Sequence, residues 1–79
     1  MARLRLFGPA REAAGTGTDT IEGADVAEVL AEAERRFGPH FSDVLASAKV
    51  WLNGTEVGMD TPVDAADEVA VLPPVSGGT

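Results

Sequence analysis

The chain has 79 residues, thirteen acidic against six basic side chains, and a net charge of −7. That length allows one domain with a thin core, burying roughly 60 % of its unfolded surface. The absence of cysteine excludes a disulfide framework, a thiolate nucleophile and a Cys-ligated metal. The negative charge disfavours a nucleic-acid partner, which needs clustered Lys and Arg, and suits steering toward a basic protein surface. Apolar content of 44 % and a mean hydropathy of +0.04 fit a globular domain rather than disorder. No stretch approaches the ~20 apolar residues of a membrane span, so no membrane partner is expected.

Arg3-Leu4-Arg5-Leu6 alternates polar and apolar with period two, which predicts a strand with one wet face. Leu4 and Leu6 share one side; Arg3, Arg5 and Phe7 share the other. Arg5 interrupts the apolar run too early for a secretory signal, so the expected location is the cytoplasm. Gly8-Pro9 ends the strand. Residues 8–15 connect it onward, with room for one helical turn from Ala10 to Ala14. Thr16 to Ile21 is rich in β-branched residues and predicts a second strand, antiparallel to the first.

The clearest helix follows. Asp25 with Glu28 three residues on resembles a capping box. Val26, Val29, Leu30, Ala33 and Phe37 form one helical stripe, with Glu28, Glu32, Arg35 and Arg36 off it. Gly38 suits a left-handed cap, and Pro39 forbids continuation. Phe41 to Ser47 predicts a short second helix. Lys49 to Leu52 reads as a strand, and Asn53-Gly54 as a tight turn into a short return strand, Thr55 to Gly58. Thr61 to Asp67 is a compact loop with Pro62 and further turn formers. Glu68 to Leu72 is the last strand, stopped by Pro73-Pro74.

This order predicts an α+β fold: a mixed five-stranded sheet with one main helix packed across one face. The β-grasp (ubiquitin-like) arrangement satisfies it, with the last strand parallel to the first in the middle of the sheet. Residues 1–73 are the expected β-grasp domain. Residues 74–79 are the expected flexible tail, carrying Gly77-Gly78.

Catalytic constellations are thin. His40 is the only histidine and has no evident partner. Ser42, Ser47 and Ser76 lack a recognisable nucleophile elbow or base. Asp60, Asp64, Asp67 and Glu68 gather near one loop but match no calcium-loop order, so no metal site is expected and solvated turn residues and caps are. Gly15-Thr16-Gly17 leads into a strand, which is wrong for a phosphate loop.

Two features carry more. With Val50 and Leu52 inward, Trp51 must point out; with Val69 and Val71 inward, so must Leu72. Phe7, Trp51 and Leu72 can then adjoin on the uncovered face, flanked by Arg3, Arg5 and Lys49. An exposed Trp is costly for solubility unless a partner covers it, and Trp is favoured in binding hot spots. The other feature is the end of the chain. Pro73-Pro74 stiffens its exit, and the Gly77-Gly78 tip has no Cβ to obstruct a narrow channel.

Across nearly all 79 residues the chain resembles the small ubiquitin-like sulfur carriers, above all the small subunit of molybdopterin synthase. The resemblance rests on Arg3-Leu4-Arg5-Leu6-Phe7-Gly8 with Arg11-Glu12-Ala13-Ala14-Gly15, and on Val50-Trp51-Leu52-Asn53-Gly54. It rests most of all on Asp67-Glu68-Val69-Ala70-Val71-Leu72-Pro73-Pro74-Val75-Ser76-Gly77-Gly78. It implies that the chain is no enzyme but a carrier subunit without bound cofactor, its catalytic groups being on partners. A ubiquitin-activating-type adenylyltransferase would bind the face formed by Phe7, Trp51, Leu72 and Arg5. It would thread Pro74, Val75, Ser76 and Gly77 and adenylate Gly78, consuming ATP. A sulfur donor protein would leave a thiocarboxylate on Gly78, and the large synthase subunit would take the same tail for molybdenum cofactor biosynthesis.

One residue departs from the pattern: Thr79 follows the second glycine. A β-branched end crowds a channel shaped for glycine, so removal of Thr79 by a C-terminal peptidase is expected before activation. The resemblance leaves other carriers open, serving thiamine, cysteine or a secondary metabolite. It also leaves open a ubiquitin-like protein modifier and a non-covalent interaction module.

Overall fold

The computed structural model describes residues 2–74. The chain runs β1 (Ala2–Leu6), α1 (Gly8–Ala14), β2 (Thr18–Ile21), α2 (Val26–Phe37), α3 (Pro39–Leu45), β3 (Lys49–Leu52), β4 (Thr55–Glu56) and β5 (Glu68–Leu72). Period-two patterning sorts the strand residues. Ala2, Leu4 and Leu6 of β1 and Val69 and Val71 of β5 are buried, while Arg3 and Arg5 are exposed. The sheet order is β2-β1-β5-β3-β4. β1 and β5 are parallel, and the remaining pairs are antiparallel. A central parallel pair flanked by two hairpins, with a helix over one face, is the β-grasp fold.

The amphipathic stripe of α2 covers the inner face. Val26, Val29, Leu30 and Ala33 are buried with Leu4, Leu6, Val69 and Val71 in one cluster. Each such Val or Leu contributes about 1.5–3 kcal/mol of burial. The Asp25 carboxylate accepts the Glu28 amide at 2.8 Å. Glu28 reaches back to the Ala24 amide, also at 2.8 Å, one residue before the cap. The carbonyls of Thr61 and Met59 take the amides of Val26 and Ala27 at 3.0 and 2.9 Å, so the loop before β5 straps the start of α2. Gly23 passes under this helix where a Cβ would lie 2.6 Å from the Val29 amide nitrogen.

Several boundaries differ from the sequence expectation. Gly8-Pro9 ends β1 but also begins a seven-residue helix, α1, because a first-turn proline forfeits no helical hydrogen bond. Gly15, at φ 78°, closes it with a left-handed cap whose amide bonds the Arg11 carbonyl. Pro39 likewise starts α3 two residues earlier than Phe41. Gly38 has a positive φ of 92° but an extended ψ, so it is no left-handed helical cap. Its amide bonds Glu34 and its carbonyl accepts from Ser42, serving both helices. β2 begins at Thr18, because the Thr16 hydroxyl closes a local turn on the Thr18 backbone. β4 is two residues long.

The expected turn and short helix, α1 and α3, therefore feed the core beside the main helix α2. Ala10 of α1 and Phe41 of α3 join it, and Phe41 meets Phe37 edge-to-face at 5.2 Å. None of the described helices is long and apolar enough to cross a membrane.

Candidate functional site

The face of the sheet opposite α2 is uncovered, and its register follows from alternation. One row runs Thr18, Arg5, Ala70, Trp51 and Glu56 across all five strands. The neighbouring rows hold Thr20, Arg3 and Glu68 on one side and Leu72 opposite Lys49 on the other. Trp51 is 36 % exposed and Phe7 37 %, so both indole and phenyl rings lie partly open to water. Ala70 of β5 lies between Arg5 of β1 and Trp51 of β3 in that row. The Phe7 amide donates to the Val71 carbonyl, extending the β1–β5 ladder past Leu6. This brings Phe7 level with the end of β5. Leu72 is half-buried there rather than fully outward.

The basic residues on this face are engaged with carboxylates of the same face. Arg3 and Arg5 both approach Glu68, each at 3.7 Å. Lys49 meets Glu56 at 3.4 Å. The Arg5 guanidinium also stands 5.5 Å from the centroid of the Phe7 ring, within cation–π range. Among the strand residues, three cations against two carboxylates leave this face with one net positive charge, in a chain whose net charge is −7. The chain's overall acidity is therefore not mirrored on the candidate docking face.

The polypeptide leaves the sheet through Pro73 and Pro74, both exposed. Pro73 lies against Gly8, where a Cβ would come within 3.4 Å of its ring. A small apolar cleft opens beside this exit, bordered by Pro9, Ala10, Val44, Ala48, Leu72 and Pro74. Nothing in the residue string marks this cleft, which depends on how α1 and α3 meet. Val75, Ser76, Gly77, Gly78 and Thr79 lie outside the described residues.

Three of the remaining polar candidates, Ser42, Ser47 and Asp67, have structural partners. The Ser42 hydroxyl donates to Glu34 at 2.8 Å, tying α3 to α2. Ser47 bonds the Val44 carbonyl. Asp67 accepts the Asp64 amide at 2.8 Å and the Asn53 side-chain amide at 2.9 Å. Those two donors, the backbone amide foremost, hold its carboxyl below the usual aspartate range. Asn53 also accepts the Glu68 amide at 2.9 Å, which locks the β3–β4 turn to the start of β5. Among the described residues no group of three or more His, Asp or Glu side chains converges as a metal site would require.

Comparison with known proteins places this geometry. The ThiS family sequence pattern matches residues 4–78. The solution structure of small archaeal modifier protein 1 from Methanosarcina acetivorans superposes with a TM-score of 0.87 at 29 % identity, covering 98 % of this chain and 95 % of that one. A putative molybdopterin converting factor subunit 1 from Pyrococcus furiosus gives 0.83 at 27 %, over 94 % and 97 %. A complex of subunits 1 and 2 of molybdopterin-converting factor from Helicobacter pylori gives 0.74 at 26 %, over 98 % and 97 %. No curated protein sequence matches the chain.

Proposed function

The chain belongs to the ThiS family, and we propose that it is a sulfur carrier whose working group is the Gly78 carboxylate, serving molybdopterin synthesis. The observation that carries this is the family match running through Gly77-Gly78 to residue 78, on a fold whose last described strand, β5, lies in the sheet beside β1 and β3. Thr79 alone falls outside the match at that end. The likeness to subunit 1 of two molybdopterin converting factors supports the choice of pathway. That one of them is paired with a subunit 2 supports a large synthase subunit as partner here.

The chemistry runs in three steps. A peptidase removes Thr79, which frees the carboxylate on Gly78. In the pocket of an adenylyltransferase a carboxylate oxygen attacks the α-phosphorus of ATP, an acyl-adenylate forms and pyrophosphate leaves. Sulfide from a donor protein then attacks the acyl carbon. The carbon–sulfur bond forms, the carbon–oxygen bond to AMP breaks, and a Gly78 thiocarboxylate remains. All three steps occur on partners in the cytoplasm. Phe7, Arg5, Trp51 and Leu72 dock the chain, while Pro74, Val75, Ser76 and Gly77 pass through the channel.

The test is to incubate protein lacking Thr79 with ATP, the activating enzyme and sulfide, and to measure its intact mass. Exchange of one oxygen for sulfur on Gly78 supports the reading; an unchanged mass refutes it. A second reading, a protein modifier joined to lysines through Gly78, is favoured by the small archaeal modifier at 29 % identity. It predicts a ladder of higher-mass conjugates in native extract that disappears when Gly78 is deleted.

A further inference from the structure

The charge arrangement on the open face specifies what its partner carries, given the docking role proposed above. Glu68 is shared by two guanidiniums, Arg3 and Arg5, at 3.7 Å from each. That distance is too long for a hydrogen bond, and neither guanidinium makes a side-chain hydrogen bond among the described residues. One carboxylate cannot neutralise two guanidiniums. Arg5 is also the better placed of the two for a partner. It lies in the row with Ala70 and Trp51 and against the Phe7 ring, which holds its planar fork beside the apolar centre. Lys49 differs, having Glu56 to itself.

We propose that the protein docking on this face presents an apolar patch to Trp51 and Phe7 and, at its border, a carboxylate that takes the Arg5 guanidinium in place of Glu68. A guanidinium fork pairs with a carboxylate through two parallel hydrogen bonds, which the loose contact to Glu68 does not provide. Glu68 is therefore an internal competitor, and its neutralisation should tighten the complex. Glu56 and Glu68 are the carboxylates that the strand register puts on this face, while the strand residue Asp19 sits opposite the buried Leu4, so the partner's carboxylate meets local positive charge.

The test measures affinity of the full chain for its adenylyltransferase by calorimetry, with three single variants. Arg5→Glu should weaken binding at least ~10-fold. Glu68→Gln should strengthen it about 2- to 5-fold, since a competing charge is removed. Asp43→Asn, which makes the same change in net charge on exposed α3, should leave affinity within about 2-fold, the size of a distant screened charge. Circular dichroism checks that each variant is folded. Wild-type affinity for Arg5→Glu, or weaker binding for Glu68→Gln, overturns the proposal. The intact-mass assay for sulfur on Gly78 reads the carrier chemistry separately, so either conclusion can fail alone.

Discussion

The two faces of one sheet carry different information, although the same strands write both. On the inner face Leu4, Leu6, Val69 and Val71 are fully buried against α2. On the outer face the interleaved residues are Arg3, Arg5, Ala70 and Trp51, with Trp51 partly exposed and the two arginines sharing a carboxylate. The inner set could be exchanged for other apolar residues of similar volume with the fold retained. On the proposed function, the outer set serves recognition. Substitutions on the two faces should therefore separate stability from binding.

The largest effect is expected inside. Phe41 is wholly buried and packs against Phe37. Phe41→Ala should cost about 3–5 kcal/mol, read as a fall in midpoint during urea unfolding. In a domain this small that consumes much of the stability. A cost under about 1 kcal/mol would mean that α3 is peripheral to the core.

Trp51 sharpens the contrast from the other side. Trp51→Ala should change stability by less than about 1 kcal/mol, as at a partly exposed site, yet weaken adenylyltransferase binding by roughly 2 kcal/mol, or about 30-fold. Unfolding curves and titration calorimetry on the same sample decide it. A large loss of stability with unaltered affinity would make Trp51 a packing residue.

Much of this division was legible in the residue string, because period-two alternation fixes which side each strand residue takes. Leu4 and Leu6, Val69 and Val71, and the α2 stripe could all be assigned without coordinates, as could Asn53-Gly54, which adopts φ of 51° and 86° in the turn. What escaped depends on contacts distant in sequence. Gly8-Pro9 and Pro39 looked like terminators, but each opens a helix that packs only because α1 and α3 meet. The charges of Arg3, Arg5 and Lys49 were visible; their pairing with Glu68 and Glu56 required the strand register. Likewise, nothing local marks the carbonyls of Met59 and Thr61 as supports for α2.

That strap belongs to the inner face and can be tested by its smaller share of the stability. The Asp25 side chain caps α2 at the place where the Asp25–Pro62 bridge holds the loop. Asp25→Ala should cost about 1 kcal/mol, seen as a lowered melting temperature, with adenylyltransferase affinity unaltered. If affinity fell as well, the two faces would be coupled through the sheet, and the separation argued above would be incomplete.

The smallest effect concerns Asp67, in the loop just before β5. Its carboxyl is held below the usual aspartate range, first by the Asp64 amide and then by the Asn53 side chain. A carboxyl depressed in the folded state contributes stability above its unfolded value, about 3.9. That contribution is lost as pH falls through the lower folded value. Melting temperature should therefore decline on acidification below about pH 4, and Asp67→Asn should make that decline shallower while leaving a slightly less stable protein near neutrality. Glu32 acts with the same sign, held down chiefly by Arg35, so the variant should retain part of the acid limb. Were the acid limb identical in wild type and Asp67→Asn, the Asn53–Asp67 contact would not be tying the β3–β4 turn to β5, and the outer face would owe its register to the backbone ladder alone.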